Sequence, residues 1–307
     1  MPAKITVLLP VYNEEANVLP VYMALKKVFS GIPQYNYEII FADDGSQDNT
    51  LSVIKKIACL DHHVFYVSFS RNFGKDNALM AGLQHSTGDA LITIDADLQH
   101  PPELIPELIK WWDRGFEVVY TFRKNKNKHA GIFNQFSSKL FYKAINSLSD
   151  VHMENGISDY RLMDKKVVNS LINLNENNPF FRGLLKWVGF KQKGIPYTPN
   201  PREKGETKYK TSALLKLALQ GITSFSTKPL IFAIYLGFFF SLTTVLYIPY
   251  VLYSIYIGVA ISGWASTIVT IVFFGGMQLM IMGIIGLYLG KVFMQVKERP
   301  QFIISES

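Results

Sequence analysis

Two carboxylates, one residue apart, follow a short apolar run near the middle of the sequence. Asp95 and Asp97 come directly after Ala90–Ile94, and Gln99 stands two residues further on. Two carboxylates and a side-chain amide offer the oxygen ligands that a hard divalent cation such as Mg²⁺ or Mn²⁺ takes, often together with substrate phosphates. The same stretch could instead form a polar turn in which Asp97 caps the helix that follows. Both interpretations stay open at this point.

Other apolar runs of the N-terminal part also end in polar side chains. These are Tyr12, Asn13 and Glu14, then Asp43 and Asp44, then Arg71 and Lys75. Because ligands bind at the carboxyl ends of the strands in an open α/β sheet, we expect these groups and the two carboxylates to converge. A site that mixes acids with bases suits a charged ligand and a metal ion, and a nucleoside diphosphate is a natural candidate.

The elements that must position these residues follow from the alternation of apolar runs with helical patterns. Strands are predicted at 4–9, 38–42, 64–69, 90–94 and 118–122, with helices between them. This alternation is typical of βαβ units and predicts a Rossmann-like, mostly parallel α/β sheet. The sequence lacks both the GxxxxGK[ST] phosphate loop and the GxGxxG dinucleotide fingerprint, which argues against an ATPase or a dehydrogenase.

A long apolar segment near the C-terminus predicts a membrane anchor. Pro229–Gly290 contains no Asp, Glu, Lys, Arg or His. It can hold two spans of about 20 residues each, which we predict at Leu230–Ile257 and Trp264–Gly290. Basic residues flank the pair and none lies in the connecting turn, so both termini are expected in the cytoplasm, at the inner membrane. A buried helical hairpin of a soluble protein is the alternative.

Composition and charge narrow the class of protein further. The chain has 307 residues, a net charge of +7 and one cysteine. A single cysteine excludes an intramolecular disulfide and fits a reducing compartment. The positive charge suits an anionic membrane surface or a phosphorylated substrate, and no nucleic-acid motif accompanies it. We therefore expect no nucleic-acid partner.

The ordered series of motifs resembles the family 2 glycosyltransferases of the GT-A fold. The motifs are Pro10–Glu15 (PVYNEE), Asp43–Ser46 (DDGS), Asp95–Gln99 (DADLQ), Ser158–Met163 (SDYRLM) and Arg202–Lys208 (REKGETK), followed by the two-helix tail. Within that family the sequence is most similar to the polyprenyl-phosphate glycosyltransferases, such as bactoprenol glucosyltransferase and dolichyl-phosphate mannose synthase. The resemblance covers nearly the whole chain.

This resemblance implies a reaction and a set of site residues. A single sugar, with UDP-glucose as the expected donor, would be transferred with inversion to undecaprenyl phosphate at the cytoplasmic face of the membrane. Asp95, Asp97 and Gln99 would hold Mg²⁺ or Mn²⁺. The nucleotide-sugar pocket would be formed by Pro10, Tyr12, Glu14, Asp43, Lys75, Asp95 and Ala96. His100 stands where many bacterial members carry a second acid, and family relatives form tetramers, which predicts a homo-oligomer.

Asp159 and Arg161, which are expected in a loop after Gly156, are the remaining catalytic candidates beside Asp97. In the family the corresponding Asp lies near the acceptor and is often described as a general base. A polyprenyl phosphate, however, has a second pKa near 6, by analogy with phosphorylated side chains, and is largely a dianion at neutral pH. Asp159 could therefore act as the base, orient Arg161, or form only a structural ion pair.

Basic residues outside the strand ends could bind the lipid phosphate or the donor diphosphate. The candidates are Arg123, Arg202 and Lys208, although each of them could instead be a solvated loop charge. Two amphipathic helices, predicted at His129–Leu148 and Ser212–Phe225, would hold the catalytic domain against the bilayer.

These features divide the chain into four parts. Residues 1–210 form the glycosyltransferase domain, 211–228 an amphipathic juxtamembrane helix, 229–291 two transmembrane helices and 292–307 a cytoplasmic tail. Three alternatives remain: another donor such as GDP-mannose, a processive polysaccharide synthase, and a non-catalytic membrane scaffold or flippase partner. The absence of a QxxRW motif argues against the synthase, and the intact acids argue against the scaffold.

Overall fold

Eight strands of one sheet and eight α-helices make up the part of the chain that the structure describes. The structure is a computed structural model that describes residues 2–124, 157–174, 176–177, 179–200, 223–224, 226–258 and 263–307. The strands are β1 (Lys4–Val11), β2 (Asn36–Asp43), β3 (Val64–Phe69), β4 (Ala90–Thr93), β5 (Val118–Arg123), β6 (Ile157–Asp164), β7 (Gln192–Tyr197) and β8 (Ile304–Glu306). The helices are α1 (Glu15–Ser30), α2 (Thr50–Leu60), α3 (Lys75–His85), α4 (Ile105–Trp112), α5 (Lys165–Ile172), α6 (Phe181–Trp187), α7 (Lys228–Tyr256) and α8 (Trp264–Val296).

The strand order across the sheet is β7-β5-β6-β4-β1-β2-β3-β8. Strand β1 pairs in parallel with both β2 and β4, and β2 pairs in parallel with β3. Only β6 and β8, among these eight described strands, run against the common direction. The predicted mostly parallel α/β sheet is therefore confirmed.

Helices cover both faces of the sheet, because the central strands are apolar on both sides. One face packs Leu9 and Phe41 against α1 and α4, with Leu25 and Leu108 at zero exposure. The other face packs α3, α5 and α6, the three helices that lie beside the candidate site.

Strand β1 continues through Pro10 to Val11, beyond the end at residue 9 that the sequence predicts. A proline in a central strand would normally lose a ladder bond. Pro10 lies beyond the last β1–β4 pair, Leu8 with Thr93, and its nitrogen faces that side of the strand. The missing N–H therefore costs no hydrogen bond.

Two predicted elements differ from the structure. Asp159 and Arg161 do not lie in a loop but in β6, an antiparallel strand between β4 and β5. The single helix predicted between the strands at 90–94 and 118–122 is split into a 3₁₀ turn, Pro102–Leu104, and α4, which ends at Trp112. The prolines and the tight first turn favour the 3₁₀ form at that end.

The apolar C-terminal segment forms two long helices, α7 and α8. Within α8, Val269–Val296 is long and apolar enough to cross a membrane, and its apolar stretch is not buried. In α7 the apolar segment found among the described residues, Lys228–Thr243, is shorter. One candidate span is thus found where the sequence predicts two, and the first span stays a prediction.

Several predictions fall outside the described residues. They concern Arg202, Lys208, the amphipathic helix at His129–Leu148, and all of the helix predicted at Ser212–Phe225 except residues 223–224. The same holds for most of the turn between the two apolar helices.

Candidate active site

The polar strand ends meet at one edge of the sheet, as predicted from the parallel order. In the register, Val11 of β1 pairs with Asp43 of β2, and Asp43 pairs with Ser68 of β3. On the other side of β1, the β4 strand ends just before Asp95. The roles of the individual residues stay predictions.

Hydrogen bonds join the loop after β1 to the loop after β2. Asn13 has a positive φ of 53°, which asparagine tolerates better than most residues. Its backbone N–H donates to Ser46 Oγ at 2.9 Å, and its Oδ1 accepts from the Gln47 N–H at 2.8 Å. The Glu14 N–H donates to Thr50 Oγ1 at 2.8 Å. The segment that carries Pro10, Tyr12 and Glu14 is therefore fixed against the segment that carries Asp43.

Asp43 and Asp44 are both buried and hold different neighbours. Asp43 accepts from the Ser68 hydroxyl at 2.8 Å. Asp44 Oδ1 accepts from the backbone N–H groups of Phe73 and Gly74, at 2.6 and 3.0 Å. Burial raises the pKa of Asp44, although these two hydrogen bonds oppose the shift. Asp44 thus fixes the loop that leads to Lys75.

A network of ion pairs surrounds Asp159 at the centre of this edge. Lys75 Nζ lies 2.5 Å from Asp95 Oδ1 and 2.9 Å from Asp159 Oδ2. Arg182 reaches both oxygens of Asp159, with Nε 2.6 Å from Oδ1 and Nη2 2.8 Å from Oδ2. Arg161 Nη2 lies 3.6 Å from Asp159 Oδ1. Three cations therefore share one nearly buried carboxylate.

Burial and the ion pairs shift the pKa values of both acids and of Arg161. Burial would raise the pKa of Asp159, but the charges of Lys75 and Arg182 outweigh it and hold that pKa well below the usual range. The pKa of Asp95 is lowered in the same way, against its own burial, chiefly by Lys75. Burial lowers the pKa of Arg161 to about 10, so it stays protonated at neutral pH. The two acids are therefore ionised and the cations charged.

Strand β6 sets the position of Asp159 from both sides. The Thr93 hydroxyl of β4 donates to the backbone carbonyl of Asp159, and the Thr121 hydroxyl of β5 donates to that of Tyr160 at 2.9 Å. Tyr160 points into the core beside α4, while Asp159 and Arg161 lie on the face of α3. Because side chains alternate between the two faces of a strand, Asp159 and Arg161 both point into the site.

The turn that carries Asp97 and Gln99 is held in an unusual conformation. Leu98 has a positive φ of 56°, which is strained for a leucine. The Asn200 N–H donates to the Gln99 carbonyl at 3.1 Å, and the Asn200 side chain to the Leu98 carbonyl at 3.4 Å. Strain of this kind is found at functional sites.

The alternative in which Asp97 caps a helix is wrong. Its Oδ1 accepts from the Gln99 N–H at 3.2 Å, and the following 3₁₀ turn begins after Pro101 without a side-chain cap. Asp95, Asp97 and Gln99 are all partly exposed, so a ligand can reach them. This all-oxygen donor set fits a hard divalent cation.

His100 lies buried beneath this turn, with 5% of its surface exposed. Its Nδ1 is 2.9 Å from the Tyr197 hydroxyl, and its Nε2 is 3.5 Å from Asp95 Oδ2 and 3.2 Å from Ser158 Oγ. His100 therefore connects Asp95 to the end of β7.

A comparison with known families decides the identity of this site. Residues 6–172, which include the nucleotide-side strand ends and Asp159, match the family described as Glycosyl transferase family 2. The chain belongs to glycosyl transferase family 2. It is therefore a glycosyltransferase, and its sheet is of the GT-A type expected from the motifs.

Similar curated proteins cover nearly all of this family 2 glycosyltransferase. YkcC of Bacillus subtilis, an uncharacterised glycosyltransferase, is 42% identical over 98% of this chain and 93% of its own length. The bactoprenol glucosyl transferase of Shigella phage SfII is 40% identical over 99% of this chain and 98% of its own length. Among solved structures, a mannosyltransferase of Pyrobaculum calidifontis is 16% identical, with a TM-score of 0.49, over 73% of this chain and 63% of that one.

Two residues of the glycosyltransferase site escape prediction from the sequence. Arg182 lies in the FFRGLLKW segment, which resembles a QxxRW motif only loosely, and no spacing connects it to Asp159. Asp76 follows Lys75 at the start of α3 and accepts the Phe181 backbone N–H. Burial and the charge of Asp159 raise the pKa of Asp76 to about 6.

Arg123, a candidate for the lipid phosphate, lies exposed at the end of β5. Within the described part of the chain, no acid lies within ion-pair distance of it. Its proposed role as a phosphate ligand remains a prediction.

Another group of possible metal ligands lies away from this site. Asp61, His62 and His63 bring one ligand atom each within 4.8 Å of one another. The Asp61 carboxylate is already bound by Lys26 at 3.0 Å and by the Tyr22 hydroxyl at 2.8 Å. These partners would compete with a cation at Asp61.

Proposed function

We propose that the protein transfers one hexose from a nucleoside diphosphate sugar, with UDP-glucose as the expected donor, to the phosphate of undecaprenyl phosphate. One observation carries the proposal: the segment that supplies Arg182 to the charged site also contacts the end of a helix long enough to span a membrane. Asn177 donates its N–H to Gln295 Oε1 of α8 at 3.1 Å, and Arg182 of the same segment binds Asp159. A lipid phosphate at the membrane surface would lie near this segment.

The arrangement of α7 and α8 supports a two-span anchor in which the beginning of α7 and the end of α8 both lie on the cytoplasmic side. The Tyr288 hydroxyl of α8 donates to the Ser226 carbonyl just before α7 at 2.7 Å. Lys291 Nζ donates to Ser224 Oγ at 2.9 Å. The beginning of α7 therefore lies beside the end of α8, as in a hairpin, and the chain after α8 returns to the sheet at β8.

Relatives support the choice of acceptor and donor. Proteins of the SfII and SfX phages of Shigella, 40% and 39% identical to this chain, are named bactoprenol glucosyl transferases. Both matches extend over at least 98% of each chain, including the apolar helices. The simplest explanation of this similarity is that the phage proteins and this chain use the same acceptor and the same sugar.

In the proposed reaction the lipid phosphate is the nucleophile. Its oxygen forms a bond to the anomeric carbon while the bond from that carbon to the diphosphate oxygen breaks, and the electron pair leaves with the diphosphate. A single in-line displacement inverts the anomeric carbon. The attacking phosphate is largely a dianion at neutral pH and has no proton to lose.

Asp159 is therefore better suited to orientation than to base catalysis. A general base works best with a pKa near the operating pH, whereas three cations hold the pKa of Asp159 far lower. Its carboxylate fixes Lys75 and Arg182 at the strand ends, where they would face phosphate groups of donor and acceptor. Fixed cations that oppose developing negative charge stabilise such a transition state.

Asp95, Asp97 and Gln99 would hold a divalent cation, which supplies positive charge against the departing diphosphate. Lys75 lies against Asp95 in the same site and adds a second positive charge. Asp43, Tyr12 and Glu14 lie on the neighbouring loops and would bind the nucleoside.

The proposal is tested with full-length protein in detergent, undecaprenyl phosphate, Mg²⁺ or Mn²⁺, and a panel of radiolabelled nucleotide sugars. We expect label in the lipid phase from UDP-glucose, and no label after EDTA is added. Label that enters the lipid phase from GDP-mannose instead would support the proposed reaction but show that the donor is GDP-mannose. Folded protein that transfers from no donor would favour the non-catalytic scaffold.

A further inference from the structure

The chain after α8 returns to the sheet and covers the outer edge of β3. Ile304–Glu306 pairs antiparallel with β3, with Phe69 opposite Ile304. The Ser70 N–H donates to the Ile303 carbonyl at 3.0 Å, and the Ser305 hydroxyl donates to the Ser68 carbonyl at 3.0 Å. The last hydrogen bonds of β3, just before the loop at its carboxyl end, are therefore made to the C-terminal segment.

Aromatic contacts extend this connection into the loop after β3. Phe302 stacks on Phe69 with ring centroids 4.9 Å apart, and Phe69 meets Phe73 edge-on at 5.7 Å. The Arg71 guanidinium lies 4.4 Å from the Phe73 ring centroid. A row of rings thus connects the C-terminal segment to the middle of the loop Ser70–Gly74.

This loop in turn lies against the acids of the nucleotide side. Phe73 and Gly74 donate their N–H groups to Asp44. Gly45 has a φ of 69°, and a Cβ there would come within 2.5 Å of the Arg71 carbonyl carbon, so the two loops are in direct backbone contact. Any shift of Ser70–Gly74 would therefore move the Asp43–Ser46 turn.

We propose that Gln301–Glu306 is a positioning element for donor binding, in which Phe302 fixes the loop Ser70–Gly74 against Asp43–Ser46. The inference rests on the proposed function, because it requires a nucleoside diphosphate beside Asp43. Phe302 touches no substrate and acts only through Phe69 and Phe73. It makes the donor pocket depend on a segment that is joined directly to the membrane helix.

The test is the affinity of full-length Phe302→Ala for UDP, measured by calorimetry with Mg²⁺ present, together with its steady-state kinetics. We expect the Kd of UDP and the KM of the donor to rise roughly 5- to 10-fold, from the strength of one aromatic pair. The kcat should change less than about 2-fold, since the ion pairs of Lys75 with Asp95 and Asp159, and of Arg182 with Asp159, do not involve Phe302. Phe302→Tyr, which keeps the stacked ring, should restore the affinity.

Ile303→Ala is the matched control. Its side chain is 56% exposed, and its backbone hydrogen bond to Ser70 does not depend on the side chain. We expect wild-type affinity for UDP in this variant.

Three results would overturn the inference. If Phe302→Ala is less stable but binds UDP like the wild type, Phe302 has only a structural role. If Ile303→Ala lowers the affinity for UDP as much as Phe302→Ala does, the aromatic contacts of Phe302 are not what fixes the loop Ser70–Gly74. If the wild type binds neither UDP nor GDP while folded, the proposed function fails and this inference fails with it. Should Phe302→Ala not fold, Phe302→Leu takes its place with the same expectations.

Discussion

Arg182 and Asp159 form a two-point ion pair, in which both carboxylate oxygens of Asp159 accept hydrogen bonds from one guanidinium. Arg182 comes from α6, whose preceding segment contacts the end of α8, whereas Asp159 comes from a strand in the centre of the sheet. The pair therefore joins this edge of the sheet to the side of the domain that contacts α8, the candidate membrane-spanning helix.

Arg182→Ala should lower kcat roughly 30- to 100-fold. Removing one partner of a buried charge pair costs roughly 2–5 kcal/mol, and the low end applies here because the Arg182 side chain is 46% exposed. Arg182→Lys should recover part of the rate, since lysine cannot make the two-point contact. Steady-state transfer assays measure both, with Lys166→Ala on the exposed face of α5 as the control. Wild-type rates in Arg182→Ala would remove this residue from the site.

Asp159→Asn distinguishes an orienting residue from a base. We expect the rate to fall by about 10- to 100-fold at every pH, because the pKa of Asp159 is too low for it to titrate near neutrality. The decline in rate below about pH 6 should remain, since it comes from protonation of the lipid phosphate. The measurement is a pH–rate profile of both proteins. An acid limb that is present in the wild type and missing in the variant would show that Asp159 is a base.

The mostly parallel sheet and the converging polar ends could be predicted because both follow from local patterns. Asp43 and Asp95 stand directly after apolar runs, Lys75 follows a third run after the loop Ser70–Gly74, and parallel strands bring such ends together. Arg182 could not be found in this way, because its partner lies on a strand whose pairing depends on long-range contacts. Strand β6 was predicted as a loop because one of its faces carries charged residues, Asp159 and Arg161, which are more common in loops than in strands.

Asp76→Asn should stabilise the protein at neutral pH. The pKa of Asp76 is raised to about 6 from an ordinary value of 3.8, by burial and by the charge of Asp159. The folded state therefore holds this proton more tightly than the unfolded chain, and stability is lost as the pH rises from about 4 to 6. The variant removes this loss, which is on the order of 1–3 kcal/mol, and an asparagine oxygen can still accept the Phe181 N–H.

Thermal unfolding at pH 4.5 and pH 7.5 measures this effect. The gain in Tm should be larger at pH 7.5, and the exposed Glu107→Gln should show no such difference. A gain that is equal at both pH values would mean that Asp76 does not titrate in this range.

Tyr197→Phe should destabilise the fold modestly. The Tyr197 hydroxyl lies 2.9 Å from His100 Nδ1, and both groups are buried. Leaving one of them without its partner costs roughly 1–3 kcal/mol. Chemical denaturation of the variant, beside Tyr66→Phe on β3, measures the difference. An unchanged denaturation midpoint in Tyr197→Phe would mean that another hydrogen bond replaces the one between Tyr197 and His100.

The central claim is that a lipid phosphate, and no other group, accepts the sugar. It is tested most directly by comparing undecaprenyl phosphate with undecaprenol as acceptors for radiolabelled glucose from UDP-glucose. The account predicts label in the lipid phase with undecaprenyl phosphate only, in a product whose anomeric configuration is opposite to that of the donor. Transfer to the free alcohol at a similar rate, or a product with retained configuration, would contradict it.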